Sequence, residues 1–283
     1  MLTHEPKFIY YIIYPSKNKP LSIINCKGEK PMDKKYLFLF LSILLSIKLG
    51  YAATLVTKES VTIITDDQKN IAATYYPAPS PKAPGVILLP DTRCDRKYFG
   101  RFPSKLHEAG FSVLAIDFRY KDIIAKAKSR EEAISLIKRQ DLYKLVQYDI
   151  KSAIDFLSGK DGVNPGRIAL IGTSLGTRVG LISGVHYKIK ALVLISLSGQ
   201  KALLDGKPIK QLLEEYGCRP ILFMSADKDW GGNYKAAEHN KHYFDWAQGK
   251  KELKIWPGSG HGVDILNREE ASEFILSWLK DNL

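Results

Sequence analysis

The stretch "ALIGTSLGTRVGL", Ala169 to Leu181, decides how this sequence is read. Three apolar residues run straight into Gly172-Thr173-Ser174-Leu175-Gly176, after which small and apolar residues recur at helical spacing. A serine at so tight a corner has two readings. In a G-x-S-x-G turn between strand and helix, backbone strain exposes the serine oxygen above a sheet, where a nucleophile is useful. The flanking glycines let neighbouring backbone pass without a Cβ in the way. The plainer reading is a glycine-rich turn that happens to contain serine. Five residues do not separate the two. The first reading requires a buried strand before the turn and a helix after it.

The surrounding sequence supplies both. "GVILLP" (Gly85 to Pro90), "FSVLAIDF" (Phe111 to Phe118), "RIALIG" (Arg167 to Gly172), "KALVLISL", "RPILFMSA" and "KELKIWPG" read as strands. Their unbroken apolar runs fit strands covered on both faces. Between them, "FPSKLHEAG" reads as a helix stopped by Gly110, and helical spacing runs from Ser129 to Leu157. "EASEFILSWLKDNL" closes the chain as an amphipathic helix. Ahead of all these, "SVTIITDD" and "NIAATYYP" alternate about a turn-forming Asp-Asp-Gln-Lys-Asn segment and predict an antiparallel hairpin. Buried strands alternating with helices predict an α/β domain with a mostly parallel sheet and helices on both faces. There is no internal repeat or low-complexity tract, and no linker that divides the region from residue 53 to 283.

Serine is a poor nucleophile unless a base takes its proton and a third group orients the base. In this topology the order along the chain is serine, acid, histidine, the last two on loops at the C-terminal ends of strands. "RPILFMSADKDW" ends a strand with two acids, Asp227 and Asp229. "LKIWPGSGHGVDIL" ends another with His261 between glycines. His107, His186, His239 and His242 fall in or beside helical segments and read as surface or packing residues. His239 and His242 share a helix face, but two histidines without a third ligand make no metal site.

Together these segments resemble the α/β-hydrolases, close to the dienelactone-hydrolase-like branch. The likeness extends from "GVILLP" through "YDIKSAIDFL", "GVNPGRIALIGTSLGTRVGL" and "KALVLISLSG" to "RPILFMSADKD", "LKIWPGSGHG" and the terminal helix. It implies an α/β-hydrolase fold and a Ser-His-Asp triad. Ser174 would attack and His261 would relay the proton. Asp229, at the family's acid position, would fix the imidazole, with Asp227 as the alternative acid. The resemblance also implies backbone donors for the oxyanion from Leu175 and from the loop after "GVILLP", where Thr92 is the choice.

Three departures bear on substrate. The loop "LPDTRCDRKYF" replaces a His-Gly or glycine-rich sequence, so Arg93 and Asp95 either crowd the mouth and favour a polar or acidic substrate or form a salt-bridged loop. "YKDIIAKAKSREEAISLIKRQD", within residues 120–142, replaces a short turn and reads as a lid segment or a solvated helix. Dienelactone hydrolases carry cysteine at the elbow, and Ser174 stands there here, which argues against dienelactone itself.

The N-terminal region has its own logic. From Met32, "MDKKYLFLFLSILLSIKLGYA" gives a positive start, a short apolar stretch and small residues before a cleavage point after Ala52, the pattern of a signal peptide. The apolar run is shorter than the roughly 20 residues a membrane span needs. Residues 1–31 read as an upstream extension from a misplaced start, 32–52 as the signal peptide and 53–283 as the hydrolase domain. Removing residues 1–52 leaves 34 Lys/Arg against 27 Asp/Glu, so the formal charge falls from +12 to +7. That excess is spread without a basic run, which speaks against nucleic acid as a partner. Cys94 and Cys218 remain, and an oxidising compartment would permit their pairing.

The sequence therefore predicts an exported, periplasmic or secreted serine hydrolase acting on a small ester through an acyl-enzyme. It requires no cofactor or metal and implies no membrane span after cleavage. It specifies no oligomeric state. A serine peptidase or amidase of the same fold and a non-catalytic binding protein are the alternatives, because fold alone does not establish function.

Overall fold

The computed structural model describes residues 57–92, 94–129, 131–132, 135–136, 142–197, 206–229 and 235–283. The upstream extension and signal peptide expected in residues 1–52 lie outside the described residues, as does Arg93. The helical stretch expected from Ser129 is described in full only from Leu142 onward.

Among the described residues the first elements are the hairpin β1 (Glu59–Ile64) and β2 (Asn70–Tyr76), followed by β3 (Ala83–Leu89). A 3₁₀ turn (Arg96–Phe99), α1 (Phe102–Glu108), β4 (Ser112–Ile116) and α2 (Lys121–Lys126) come next. The second half alternates: α3 (Leu142–Ser158), β5 (Val163–Thr173), α4 (Leu175–His186), β6 (Ala191–Ile195), α5 (Ile209–Tyr216) and β7 (Ile221–Lys228). It ends with α6 (Ala236–Trp246), β8 (Lys251–Ser259), α7 (Val263–Leu266) and α8 (Glu269–Asn282).

One eight-stranded sheet runs in the order β1-β2-β4-β3-β5-β6-β7-β8. β1, β2 and β4 pair antiparallel, and every pair from β4 across to β8 is parallel. The expected hairpin forms because its turn is closed by backbone bonds from the Thr65 amide to the Lys69 carbonyl and from the Gln68 amide to the Thr65 carbonyl, with the Thr65 hydroxyl accepting from the Lys69 amide.

Strand alternation sends side chains to two cores. Ile87, Leu89, Leu114, Ile116, Leu170, Leu192, Leu194 and Phe223 pack with Ile150 of α3, Val179 of α4, Leu212 of α5 and Tyr243 of α6. Their neighbours Val86, Leu88, Val113, Ala115, Ile171, Val193, Ile195 and Met224 pack with Leu106 of α1 and Ile275 and Leu279 of α8. This double covering explains why the central strands read as continuous apolar runs. Because β3 to β8 are parallel, the loops that leave β3, β5, β6, β7 and β8 converge on one edge of the sheet, where α/β folds place their sites. Cys94 lies beyond the C-terminal end of β3, and Cys218 precedes the N-terminal end of β7. The two stand at opposite edges of the sheet, too far apart to be bridged to one another.

Candidate active site

The corner at Ser174 is strained. Its backbone sits at φ 50° and ψ −109°, between β5 and the first residue of α4. Positive φ is rare outside glycine and is stored at sites that need a side chain held at an unusual angle. Both flanking glycines are required by close approach. A Cβ at Gly172 would overlap the carbonyl of Gly176, and a Cβ at Gly176 would overlap the carbonyls of Leu89 and Pro90. The chain leaving β3 therefore passes directly over the start of α4. Ser174 is partly exposed while Thr173, Leu175 and Gly176 are buried.

His261 follows β8 by two residues and is buried, at 5% exposure. Its Nε2 lies 2.7 Å from Ser174 Oγ, and its Nδ1 lies 2.6 Å from Asp229 Oδ1. Asp229, directly after β7, is buried at 2% exposure. A carboxylate only accepts, so it keeps the imidazole proton on Nδ1 and leaves Nε2 to accept from the serine hydroxyl. Asp227 points elsewhere: it is exposed and takes no part in this chain of bonds. The structure thus brings Ser174, His261 and Asp229 together and leaves Asp227 out.

The family model for the dienelactone hydrolases matches residues 71–274. The chain belongs to the dienelactone hydrolase family. Among relatives, an uncharacterised protein of Mycobacterium tuberculosis is 29% identical over 71% of each chain. The dienelactone hydrolase of Anabaena variabilis has the same fold, with a TM-score of 0.59 and 16% identity over 80% of this chain and 96% of its own. A cold-adapted esterase from an Arctic intertidal metagenomic library superposes with a TM-score of 0.60 and 18% identity, over 80% and 93% of the two chains. Membership makes this dienelactone hydrolase family protein a hydrolase.

One further residue of the site escaped the sequence reading, and a residue of the expected oxyanion loop proves to be buried. Ser196, the residue after β6, donates from Oγ to Asp229 Oδ2 at 2.6 Å and accepts the Gly262 amide at 2.9 Å. A serine ending an apolar strand carries no signal of its own. Asp91, two residues past β3, is buried at 6% exposure. A Cβ built on Gly262 would come within 3.7 Å of Asp91 Oδ2, so Asp91 lies beside the loop that carries His261.

Thr92 borders a cavity of about 150 Å³, lined also by Cys94, Asp95, Tyr98, Phe118, Tyr120, Lys121 and Ala125. These residues come from the segments that follow β3 and β4, and β3 is the neighbour of β5, the strand that carries Ser174 at its end. Asp95 does not stand there as an unpaired charge. It caps the 3₁₀ turn through the Lys97 amide at 2.8 Å and pairs with Lys121 at 3.2 Å. Burial opposes ionisation of Asp95, but these two partners outweigh it and hold the carboxyl below its ordinary range. Lys121 is held above its ordinary value, chiefly by its hydrogen bond to Asp117 and then by Asp95. Of the two sequence readings for Asp95, the salt-bridged loop is the one formed. Among the described residues, no acceptor meets the amides of Leu175 and Thr92. Leu175 opens α4, where the first-turn amides have no partner within the helix.

Proposed function

We propose that this protein is an exported serine esterase that cleaves a small, uncharged carboxyl ester through an acyl-enzyme. The unbroken line from Ser174 Oγ through the His261 imidazole to Asp229, at 2.7 and 2.6 Å, is the observation that carries this reading. Membership of a hydrolase family supports it.

In this scheme Ser174 Oγ attacks the ester carbon as His261 Nε2 takes its proton. Charge develops on the carbonyl oxygen, and the amides of Leu175 and Thr92 are the donors assigned to it. Losing one such donor costs about 100- to 1000-fold in rate. The tetrahedral intermediate collapses, the bond to the alcohol oxygen breaks, and the alcohol leaves with the proton from Nε2. Water then adds to the acyl-enzyme, giving a proton to His261. The acid departs as that proton returns to Ser174 Oγ. Asp229 stabilises the imidazolium formed in each half and is not itself protonated. No metal or cofactor takes part.

The cavity beside Thr92 supports the substrate class. It is largely apolar and aromatic, its lysine and aspartate neutralise one another, and a cavity of about 150 Å³ accepts a single benzene-sized group. The signal pattern from Met32 to Ala52 is the support for export.

The test is covalent labelling of the protein starting at Ala53 with a fluorophosphonate probe, beside a Ser174→Ala control. Labelling of the wild type that disappears in the control is the expected result. A folded wild type that takes no label refutes the esterase reading and favours the non-catalytic alternative. Faster turnover of a p-nitroanilide than of the matching p-nitrophenyl ester would replace esterase by amidase.

A further inference from the structure

Resting on the triad reading above, we propose that the C-terminal end of β6 is the positioning hub of the site. Ser196 is the positioning residue that locks the acid to the histidine loop. Two successive residues there hold all three triad segments. The Ile195 carbonyl accepts the Ser174 amide at 2.9 Å and so anchors the elbow. The Ser196 hydroxyl accepts the Gly262 amide, next to the base, and donates to Asp229. β6 lies between β5 and β7, the strands that deliver nucleophile and acid, and its end reaches past β7 to the loop after β8.

The direction of these bonds is fixed by chemistry. An amide only donates, so the Ser196 oxygen must accept from Gly262, and its single proton is left for Asp229 Oδ2. Asp229 is thereby held at both oxygens, Oδ1 by His261 and Oδ2 by Ser196. A carboxylate held at one oxygen turns about its Cβ–Cγ bond; held at two, it keeps its plane aligned with the imidazole.

The backbone at Ser196 supports a role for the side chain. Its φ is 65°, and the residue is fully buried. Glycine would adopt this conformation without strain, whereas an L-residue does so at a cost. What serine adds over glycine here is the hydroxyl and its two bonds. The surroundings keep the strained backbone in place: the Ser196 amide donates to the Met224 carbonyl at 2.7 Å. Buried Asn240 of α6 donates to the Leu197 carbonyl at 3.1 Å.

Ser196→Ala removes the hydroxyl. Ser196→Gly removes it while relieving the backbone, which provides a folded variant if alanine does not. Both, in the protein starting at Ala53, are to be assayed with p-nitrophenyl acetate and for the rate of fluorophosphonate labelling, with circular dichroism verifying the fold. The expected result is a kcat lower by about 10- to 100-fold, the worth of one hydrogen bond to a charged group, with KM within about two-fold. The labelling rate should fall in parallel. In an Asp229→Ala background, Ser196→Gly should cause no further loss, because the hydroxyl acts through the carboxylate. A Ser196→Gly enzyme with wild-type kcat overturns the proposal, as does an equal loss with and without Asp229. Full turnover by Ser174→Ala would overturn the triad reading and this proposal with it. An inactive Ser174→Ala beside a fully active Ser196→Gly would overturn this proposal alone.

Discussion

Two buried polar clusters lie along the same edge of the sheet, one beside β4 and one across β5 to β8, and they are built on opposite terms. Beside β4, Asp117 accepts from the Arg96 amide at 2.8 Å, from the Arg96 guanidinium and from Lys121 at 2.9 Å. Arg119 meets Asp149 at 2.7 Å and Asp67 at 2.6 Å. Each carboxylate there faces a permanent cation. Across β5 to β8, the buried Asp229 meets no lysine or arginine among the described residues. Its partners are an imidazole and a hydroxyl, and the line ends at partly exposed Ser174. The first cluster is closed, because arginine neither gives up its proton nor takes another. The second is open at one end, and its middle member can accept a proton and return it. Burial of a carboxylate alone does not mark a site; what faces the carboxylate does.

The contrast is broken most decisively at His261. His261→Ala should lower kcat on p-nitrophenyl acetate by about 10⁴- to 10⁶-fold. Retained turnover would mean that the open line moves no proton. A smaller effect is expected one step along. Asp229→Ala should lose about 10²- to 10⁴-fold, while exposed Asp227→Ala stays within about two-fold in the same assay. The reverse order would transfer the role of acid to Asp227.

Opposite behaviour is expected of the closed cluster. Asp149→Ala should leave the kcat of the folded protein near wild type yet lower stability by about 1–3 kcal/mol in urea titrations, because it strips one of two carboxylate partners from the Arg119 guanidinium. A large loss of kcat at unchanged stability would erase the distinction between the clusters.

Acid should produce the smallest effect. Its hydrogen bond to Arg119 is the main cause pulling the Asp67 carboxyl down to about 2, with Thr65 helping and burial opposing. A depressed carboxylate contributes stability that is fully present above its unfolded value near 4 and is lost as pH falls through about 2. The stability gap between wild type and Asp67→Asn should therefore be full at about pH 6 and shrink from about pH 4 downward. A gap that stays constant from about pH 4 down to about pH 2 would show that Arg119 does not hold Asp67 in this way.

The two clusters were unequally legible in the sequence. The apolar runs of β3 to β8 announced the parallel sheet because strands covered on both faces carry no polar alternation. The elbow was legible because Gly172 and Gly176 are demanded by backbone contacts only a few residues away in sequence or just across β3. His261 stood out by its glycines. The choice between Asp227 and Asp229 was not a matter of composition, since the two are separated by one residue and only one turns inward. Nor did any pattern announce Ser196, whose partners lie 33 and 66 residues away. The same holds for Asp95, which the sequence left between a charge at the mouth and a salt-bridged loop until Lys121 and the Lys97 amide claimed it.

By itself, then, the sequence determined the strand and helix pattern, the elbow and the order of serine, acid and histidine. These follow from local periodicity, local backbone strain and chain direction. The resemblance favoured Asp229 over Asp227 as the acid, but only the tertiary structure set it against the imidazole and decided which hydroxyl steadies it and which charges cancel near Thr92. Those depend on side chains from β3 to β8 meeting at one edge of the sheet, and such meetings are set by strand register rather than by neighbours in the chain.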